Sequence, residues 1–303
     1  MSSQDIEAPP EASLAPAELA ARHGLTISGA RASLPAYVGQ LWSRRHFIIA
    51  FSRAKLAAQY SKTSLGQLWQ VLTPLLNAVV YYFIFGKLLG TDRGMEHGMY
   101  VPFLVTGIFV FDFTQSSLTS GMKSISGNLG LVRALHFPRA SLPISFALQK
   151  FQQLLYSMIV VFGFCIAFGN YPSWTWLLVI PVLLLQFGFN TGLALAFARL
   201  GEKTPDLAQV MPFVMRTMRY ASGVMFSLPV YLEGRDIPTW LLDVLQWNPV
   251  AIYMDLCRYA LIDGYGAENL PPYVWAFAAG WAVLLAVGGF IFFWKAEERY
   301  GRG

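Results

Sequence analysis

The chain has 303 residues, of which 55% are hydrophobic and only 13% are charged. A soluble domain carries closer to a quarter charged residues, so this composition excludes an ordinary soluble protein and predicts a multi-pass membrane protein. The formal net charge of +5 does not indicate nucleic-acid binding, because excess Lys and Arg is typical of the cytoplasmic loops of membrane proteins. The two cysteines and four scattered histidines offer neither a disulfide framework nor metal-ligand spacing, so no metal site is predicted.

The N-terminal 60 residues divide into two parts. Residues 1–30 are acidic and rich in Pro and Ala without an apolar core, which predicts a disordered cytoplasmic tail and not a signal peptide. In residues 31–60, apolar residues including Trp42 recur at helical spacing among Arg and Lys residues. This pattern predicts a basic amphipathic helix that lies on an anionic membrane surface. Packing of this helix against another protein domain is the alternative.

The first membrane span is predicted within residues 60–90. This stretch is apolar from Val71 to Phe85 apart from Thr73, Pro74 and Asn77. About 20 helical residues at a rise of about 1.5 Å cover the roughly 30 Å hydrocarbon core, so the stretch is long enough to cross once.

Five further spans are predicted in residues 61–303, which we treat as one membrane domain, at 101–120, 142–168, 174–198, 207–228 and 272–294. Residues 121–139 are predicted to form a cytoplasmic helix that Pro138 closes. Residues 229–271 contain no long uncharged run and are predicted to form short re-entrant or gate helices on the external side. The expected fold is an all-α membrane protein with six transmembrane helices and an N-terminal interface helix.

The distribution of basic residues orients these spans. Six spans place both termini on one side, and segments on that side hold fifteen of the 22 Lys and Arg residues against four on the other. The positive-inside rule therefore predicts that both termini are cytoplasmic.

Several short motifs carry a resemblance to a known family. They are, in chain order, Tyr60-Ser61-Lys62-Thr63-Ser64-Leu65-Gly66, Leu68-Trp69, Pro74, Phe137-Pro138-Arg139, Asn248-Pro249 and Arg258-Tyr259. In order and spacing they resemble the permease subunits of type-two ABC exporters, in the branch that exports polysaccharides such as O-antigen, teichoic acid, capsule and mycobacterial galactan. The resemblance covers about residues 35–300. Gln59, where relatives often have Arg, and the basic pair Arg216 and Arg219 depart from the pattern.

The resemblance implies a homodimer in the cytoplasmic (inner) membrane that works with two copies of a separate ATP-binding subunit and exports a lipid-linked polysaccharide. ATP and Mg²⁺ would bind that partner, and this chain would not itself be an enzyme. The sequence agrees, because it contains no G-x-x-x-x-G-K-[ST] phosphate loop. The resemblance also implies contact sites for the ATPase and external gate residues. The former are Lys123, Arg133, Phe137, Pro138 and Arg139, and the latter are Trp247, Asn248, Pro249 and Arg258.

Ionisable residues inside the predicted spans are candidates for the substrate path, because each costs about 3 kcal/mol or more at the bilayer centre unless it is paired or hydrated. Asp112, Lys150 and Arg216 lie at similar predicted depth, so the geometry allows Asp112 to pair with Lys150 or with Arg216. Arg219 lies on the same helical face as Arg216. These residues line a polar path that contacts a diphosphate or sugar hydroxyls, or else form a buried structural ion pair. The first reading predicts that Arg216→Ala impairs export.

Aromatic residues and small residues complete the predictions. Sugars present apolar C–H faces to rings, so Tyr81, Phe85, Phe111 and Tyr220 are candidate path residues, with lipid-facing packing as the alternative. Gly188 and Gly192 have G-x-x-x-G spacing, which predicts close helix packing within one chain.

Three other functions compete with polysaccharide export. One is an ABC exporter of a small molecule or lipid. Another is an ion-coupled secondary transporter that uses Asp112 and Lys150. The third is a membrane-embedded enzyme, which would need paired carboxylates or a His cluster near one surface, and Asp236, Asp243 and Asp255 are the external group to test.

Overall fold

The computed structural model describes residues 32–88, 99–135, 137–225, 245 and 247–300. All regular secondary structure in these ranges is helical, which confirms the all-α prediction for them. The α-helices of these ranges are, in chain order, α1 (Leu34–Ser43), α2 (Arg45–Ala58), α3 (Trp69–Tyr81), α4 (Tyr100–Met122), α5 (Leu129–Ala134), α6 (Ser141–Ala167), α7 (Val179–Lys203), α8 (Leu207–Ala221), α9 (Pro249–Leu261) and α10 (Val274–Trp294). The predicted tail, residues 1–30, lies outside the described residues.

Four elements are long and apolar enough to cross a membrane. They are α4, α6, α10 and the stretch Trp174–Lys203, in which a 3-10 turn leads into α7. These elements occur where the second, third, sixth and fourth spans are predicted, and they identify a multi-pass membrane protein. At the predicted first and fifth spans lie α3, which continues as a π-helix (Tyr82–Leu88), and α8, and neither is among the four. The count of six spans stays a prediction.

Helix α4 is the centre of the bundle. Its residues are apolar around most of the circumference, and such a helix is stable only when it is covered on all sides. Accordingly α4 packs against α6, α7 and α9, and it carries most of the main hydrophobic core. The buried amide of Gln186 on α7 donates to the carbonyl of Val110 at 2.9 Å and to the hydroxyl of Thr114 at 3.1 Å. Side chains on α4 therefore point either into this core or into the gaps between its neighbours.

Helices α7 and α10 pack most closely at two glycines. A Cβ at Gly192 would overlap the backbone of Leu285 and Ala286, and one at Gly289 would overlap the backbone of Gly192. Gly188 makes only an ordinary contact, because its Cβ would lie 3.9 Å from that of Ala282. The predicted close packing within one chain is confirmed at Gly192, whereas Gly188 is one turn away from the close approach.

The N-terminal helical region is two helices, α1 and α2, that break at Arg44, where a single helix is predicted. On α2, Ile48, Ser52 and Leu56 recur every four residues and are buried against α6. Trp42 is 71% exposed. The apolar face is thus shared: part of it packs on protein, as the alternative reading holds, and membrane contact of the remainder stays a prediction.

The helices in the segment between α4 and α6 are shorter than predicted. A turn follows α4, and a 3-10 turn (Ser126–Asn128) precedes the six-residue α5, so residues 121–139 do not form one continuous helix. The amide of Asn128 donates to the carbonyl of Ser124 at 2.8 Å. Ser, Gly and Asn residues favour such local turns over helix, which explains the break.

Helix α9 is the α-helix in the described part of the predicted external segment 229–271. Its N-cap is Asn248, whose side chain accepts from the Val250 N–H at 3.0 Å, and Pro249 occupies the first turn. Most of α9 is buried against α4 and α7, so this helix enters the bundle instead of lying on its surface. Residues 226–244 lie outside the described residues, as do the last residues of the predicted fifth span.

Candidate functional site

A polar cavity of about 450 Å³ lies among α3, α4, α6 and α8. Its charged lining residues are Asp112, Lys150 and Arg219, and its neutral polar lining residues are Thr73, Asn77, Gln115, Ser116, Thr119, Gln153 and Ser157. Tyr81, Phe109 and Phe113 contribute rings, and Pro74 and Leu154 complete the wall. Four of the predicted path residues, Tyr81, Asp112, Lys150 and Arg219, therefore line the same cavity.

Asp112 pairs with Arg219, which differs from both predicted partners. The Nη2 atom of Arg219 lies 2.6 Å from Oδ1 of Asp112 and donates also to Oε1 of Gln115 at 3.0 Å. The guanidinium carbon lies 5.1 Å from the ring centre of Phe111. Successive residues on a helix differ by about 100° in direction. Arg219 lies one turn from Met215, on the side of α8 that packs on α4.

The Asp112 side chain is still 44% exposed despite this ion pair. A purely structural ion pair in a membrane protein is expected to be sealed among other side chains. The exposed carboxylate and the surrounding amides and hydroxyls form instead a polar surface on the cavity wall. The two alternatives for these residues therefore combine: the pair holds α4 to α8 and it also lines the cavity.

Lys150 reaches the cavity from α6. Its Nζ atom donates to Oε1 of Gln153 at 3.3 Å, one turn further along the same helix. Neither Asp112 nor any other carboxylate forms a salt bridge with Lys150 within the ranges that the structure describes. The predicted pair of Asp112 and Lys150 is thus replaced by a lysine beside a neutral amide.

The sequence-based predictions do not include most of the neutral polar residues that line the cavity. Thr73 and Asn77 are four residues apart on α3, and Gln115, Ser116 and Thr119 follow one face of α4. Helical spacing of hydroxyl and amide residues inside apolar stretches was the available signal. These groups donate and accept hydrogen bonds without bringing charge, so the cavity suits a polar, hydroxyl-rich ligand.

Several other predicted path residues do not line the cavity. Phe111 is 1% exposed and is buried beside Arg219. Arg216 and Tyr220 do not line the cavity, and their side chains are exposed. The side chain of Phe85 lies outside the described residues. Arg219, and not Arg216, is therefore the residue of this helix that faces the cavity.

The predicted ATPase-contact residues occupy two different environments. Lys123 and Arg133 line a second cavity, of about 540 Å³, between the segment that follows α4 and the junction of α7 with α8, which contributes Gly201, Glu202, Pro205 and Ala208. Phe137 packs on Phe47 of α2, with ring centres 5.4 Å apart, and Pro138 is buried. The first two residues lie on an open groove, whereas Phe137 and Pro138 anchor the segment.

Arg139 belongs to a buried hydrogen-bond cluster with Glu297. Its backbone N–H donates to Oε1 of Glu297 at 2.9 Å, and its guanidinium bonds to the Glu297 carbonyl. The Tyr37 hydroxyl donates to Oε2 of the same carboxylate at 2.8 Å and accepts from the Ala140 N–H at 3.1 Å. Burial raises the pKa of the Glu297 carboxyl, which the bonds from Arg139 and Tyr37 partly offset. The cluster joins α1, the start of α6 and the end of α10.

The predicted gate residues are also joined to the bundle by polar contacts. Arg258 is 1% exposed, and its Nη2 donates to the carbonyls of Gly223 and Val224 at 3.1 and 3.0 Å. Its Nη1 donates to Asp255 at 2.9 Å, and its guanidinium lies 3.4 Å from the Phe103 ring centre. Buried arginine with this many partners fixes α9 to the turn after α8 and to α4.

The other gate residues connect the same elements. The Asn248 amide donates to the Ser222 hydroxyl at 2.9 Å, and the Trp247 ring centre lies 4.0 Å from that of Phe277 on α10. Asp255, proposed as one of three external carboxylates for an enzyme, is bonded to Arg258 and to the Tyr265 hydroxyl. Asp236 and Asp243 lie outside the described residues.

Apolar helices of membrane length, two of which, α4 and α6, line a cavity with polar walls, fit a membrane transport protein. A family model described as "ABC-2 type transporter" matches residues 46–262. The chain therefore belongs to the ABC-2 type transporter family. Membership makes it a transport subunit of an ABC system, as the sequence motifs predict.

Individual relatives are similar over most of their length. An "O-antigen export system permease protein RfbA" of Klebsiella pneumoniae is 26% identical over 72% of this chain and 80% of that protein. A "Polysialic acid transport protein KpsM" of Escherichia coli is 25% identical over 71% of this chain and 81% of that protein. An "Inner membrane transport permease YadH" of Escherichia coli strain K12 is 23% identical over 77% of this chain and 88% of that protein.

Proposed function

We propose that this chain is the transmembrane subunit of an ABC exporter that moves a lipid-linked polysaccharide across the cytoplasmic membrane, powered by a separate ATP-binding subunit. The observation that carries the proposal is the cavity among α3, α4, α6 and α8, whose wall combines amides, hydroxyls and rings. The names of the relatives, O-antigen export and polysialic acid transport, support a polysaccharide as the substrate.

The cavity chemistry fits a glycan. Sugar hydroxyls both donate and accept hydrogen bonds, as do the side chains of Asn77, Gln115 and Gln153 on three walls. Tyr81 and Phe109 offer ring faces against which the C–H faces of a sugar stack. A volume of about 450 Å³ lies within the range of roughly 300–1,000 Å³ that is usual for ligand sites. Many weak contacts suit a polysaccharide that must move through the cavity without being held at one position.

The groove beside α5 is the proposed docking site of the ATPase. It presents Lys123 and Arg133 together with residues from the end of α7, so a partner bound there would touch two connecting segments at once. Displacement of such a partner would then be transmitted directly to α4 and α7, which the groove joins. We propose two copies of the ATPase on a homodimer of this chain, with ATP and Mg²⁺ held by the ATPase.

The proposed topology retains six spans with cytoplasmic termini. The helical stretch from α3 through the π-helix Tyr82–Leu88 and the helix α8 would supply the first and fifth spans. Fifteen basic residues on the side of the termini against four on the opposite side support this orientation. In this arrangement α1 and α2 lie at the cytoplasmic membrane surface, and α9 lies below the external face as part of the gate.

Gene deletion tests the transport function. Without this chain, the producing cell is expected to lose the polysaccharide from its surface and to accumulate the lipid-linked form inside, and the wild-type gene on a plasmid should reverse both changes. Surface polysaccharide is quantified by antibody or lectin binding, and the lipid-linked pool by extraction. Unchanged surface and internal glycan pools would contradict the proposal.

Co-purification tests the ATPase contact. The full chain co-expressed with the ATP-binding subunit is expected to purify as a complex that hydrolyses ATP. The double variant Lys123→Glu/Arg133→Glu should lower the yield of this complex at least fivefold. Lys62→Glu, an equal charge reversal at an exposed position away from the groove, serves as the control. Equal recovery of the complex with both variants would place the docking site elsewhere.

A further inference from the structure

The charges on the wall of the cavity do not balance. Of the three charged residues that line it, Asp112 and Arg219 form an ion pair at 2.6 Å and cancel. Lys150 is the third, and its hydrogen-bond partner is the neutral side chain of Gln153 at 3.3 Å. Among the residues that the structure describes, every other polar lining group is a hydroxyl or an amide. This part of the cavity wall thus carries one formal positive charge.

An uncompensated ammonium is unfavourable at this place. Lys150 lies in the first half of α6, one of the four apolar helices of membrane length, where an ionised side chain is costly unless it is paired or hydrated. Electrostatic attraction is also stronger there than in bulk water, because the surroundings are less polarisable. An anion that enters the cavity therefore gains more from Lys150 than a neutral molecule of the same shape.

The neighbours of Lys150 add to this preference. Gln115 and Ser116 on α4 and Asn77 on α3 line the same space and can donate hydrogen bonds to further oxygen atoms. Carboxylates and phosphates accept several hydrogen bonds at once, and those from charged donors are the strongest. The cavity thus offers one cation and several neutral donors, which matches one singly charged oxyanion among uncharged hydroxyl groups.

We propose that Lys150 is a specificity-determining residue that binds an anionic group of the transported substrate, a carboxylate or a phosphate. The group has two sources: an acidic sugar in the glycan, or the phosphate that links the glycan to its lipid. This inference rests on the proposed function, and it adds that the cavity distinguishes charged substrates from neutral ones. A neutral substrate would leave the ammonium without a counterion.

Matched probes test the proposal with the purified full chain. Hyaluronan tetrasaccharide carries carboxylates and maltotetraose does not, and farnesyl diphosphate carries phosphates and farnesol does not. Dissociation constants are measured for all four by isothermal titration calorimetry. At least one charged probe is expected to bind tenfold or more tightly than its neutral counterpart, and the pair that shows the preference identifies its source.

Variants assign the preference to Lys150. Lys150→Gln should abolish it, Lys150→Arg should retain it, and Lys87→Gln, which removes an exposed lysine that does not line the cavity, should leave it unchanged. Equal binding of charged and neutral probes to the wild type, or a preference that survives in Lys150→Gln, would overturn the proposal. Either result would leave polysaccharide export, judged by gene deletion, standing.

A measurement on the wild-type chain tests the proposal even if a Lys150 variant does not fold. The favoured charged probe should protect Lys150 from acetylation by acetic anhydride, detected by mass spectrometry of peptides, while Lys87 reacts equally with and without the probe. Equal acetylation of Lys150 in the presence of a saturating charged probe would overturn the proposal without recourse to any substitution.

Discussion

Tyr37 donates its hydroxyl hydrogen to Glu297 at 2.8 Å, across 260 positions of the chain. The bond is buried, and the same carboxylate accepts from the Arg139 backbone N–H. Nearby, the Trp294 indole donates to the Ala32 carbonyl at 3.1 Å. The first described helix is thereby attached to the last one and to the start of α6. A shift of α1 relative to α6 and α10 would have to break this cluster or carry it along.

The Glu297 cluster predicts a specific pH dependence of stability. Burial raises the pKa of this carboxyl above its ordinary value of 4.5, so the folded chain holds the proton more tightly than the unfolded chain. The free energy of unfolding should therefore fall as pH rises from about 4.5 through the raised pKa. Thermal melting of the purified chain at pH 4.5 to 8 measures this.

Two variants test whether Glu297 causes this pH dependence of stability. Glu297→Gln should remove the part of the pH dependence between pH 4.5 and 8, because the amide does not titrate. Glu298→Gln changes the adjacent carboxyl but keeps the Tyr37 contact, and it should behave like the wild type. A pH dependence in Glu297→Gln equal to that of the wild type would show that another group is responsible.

Comparison of Arg219 with Arg216 tests the role of the cavity. Arg219→Ala removes the partner of Asp112 and a donor to Gln115, so export of the polysaccharide should fall at least tenfold. Arg216→Ala alters an exposed side chain three residues away and should leave export within twofold of the wild type. Surface polysaccharide in the complemented deletion strain is the measurement, with membrane insertion checked by immunoblot. The reverse order of effects would restore the sequence-based choice of Arg216.

The sequence predicts how far along a helix a residue lies, but it does not predict which way the side chain points, as the contrast between Arg216 and Arg219 shows. The length of each apolar stretch predicts the ends of α4 and α10 to within two or three residues, because the thickness of the bilayer sets the length of a membrane span. Depth along a helix follows from counting residues, and Asp112 and Lys150 do share a cavity. Direction around the helix depends on how each helix is rotated against its neighbours, and that is set by packing over the whole bundle.

Buried contacts between distant parts of the chain are even harder to predict from the sequence. Tyr37 and Glu297 belong to segments that read separately as an interface helix and a charged C-terminal end. Arg258 reads as an external charge, yet it is 1% exposed because carbonyls of the turn after α8 accept from it. Such contacts join residues 35 to 260 positions apart, and no local pattern encodes them.

Arg258 is expected to be essential for the stability of the gate region. Arg258→Met removes the donors to the carbonyls of Gly223 and Val224 and leaves Asp255 buried without its cation, which costs about 3–5 kcal/mol when one member of a buried pair is removed. The melting temperature in detergent should fall accordingly. The double variant Arg258→Met/Asp255→Asn should recover part of the loss, and no recovery would mean that the carbonyl contacts dominate.

Gly192 offers a paired test of the contact between α7 and α10. A methyl group at Gly192 would overlap the backbone of Leu285, which cannot move aside as a side chain can, so Gly192→Ala should destabilise the chain by about 1–3 kcal/mol. Gly188→Ala adds the same methyl group one turn away, where the nearest Cβ, that of Ala282, is 3.9 Å distant. There the higher helix propensity of alanine, worth up to about 1 kcal/mol, should keep stability unchanged or raise it. Thermal melting of both variants in one detergent makes the comparison, and equal destabilisation would show that α7 and α10 do not approach as closely as their backbones indicate.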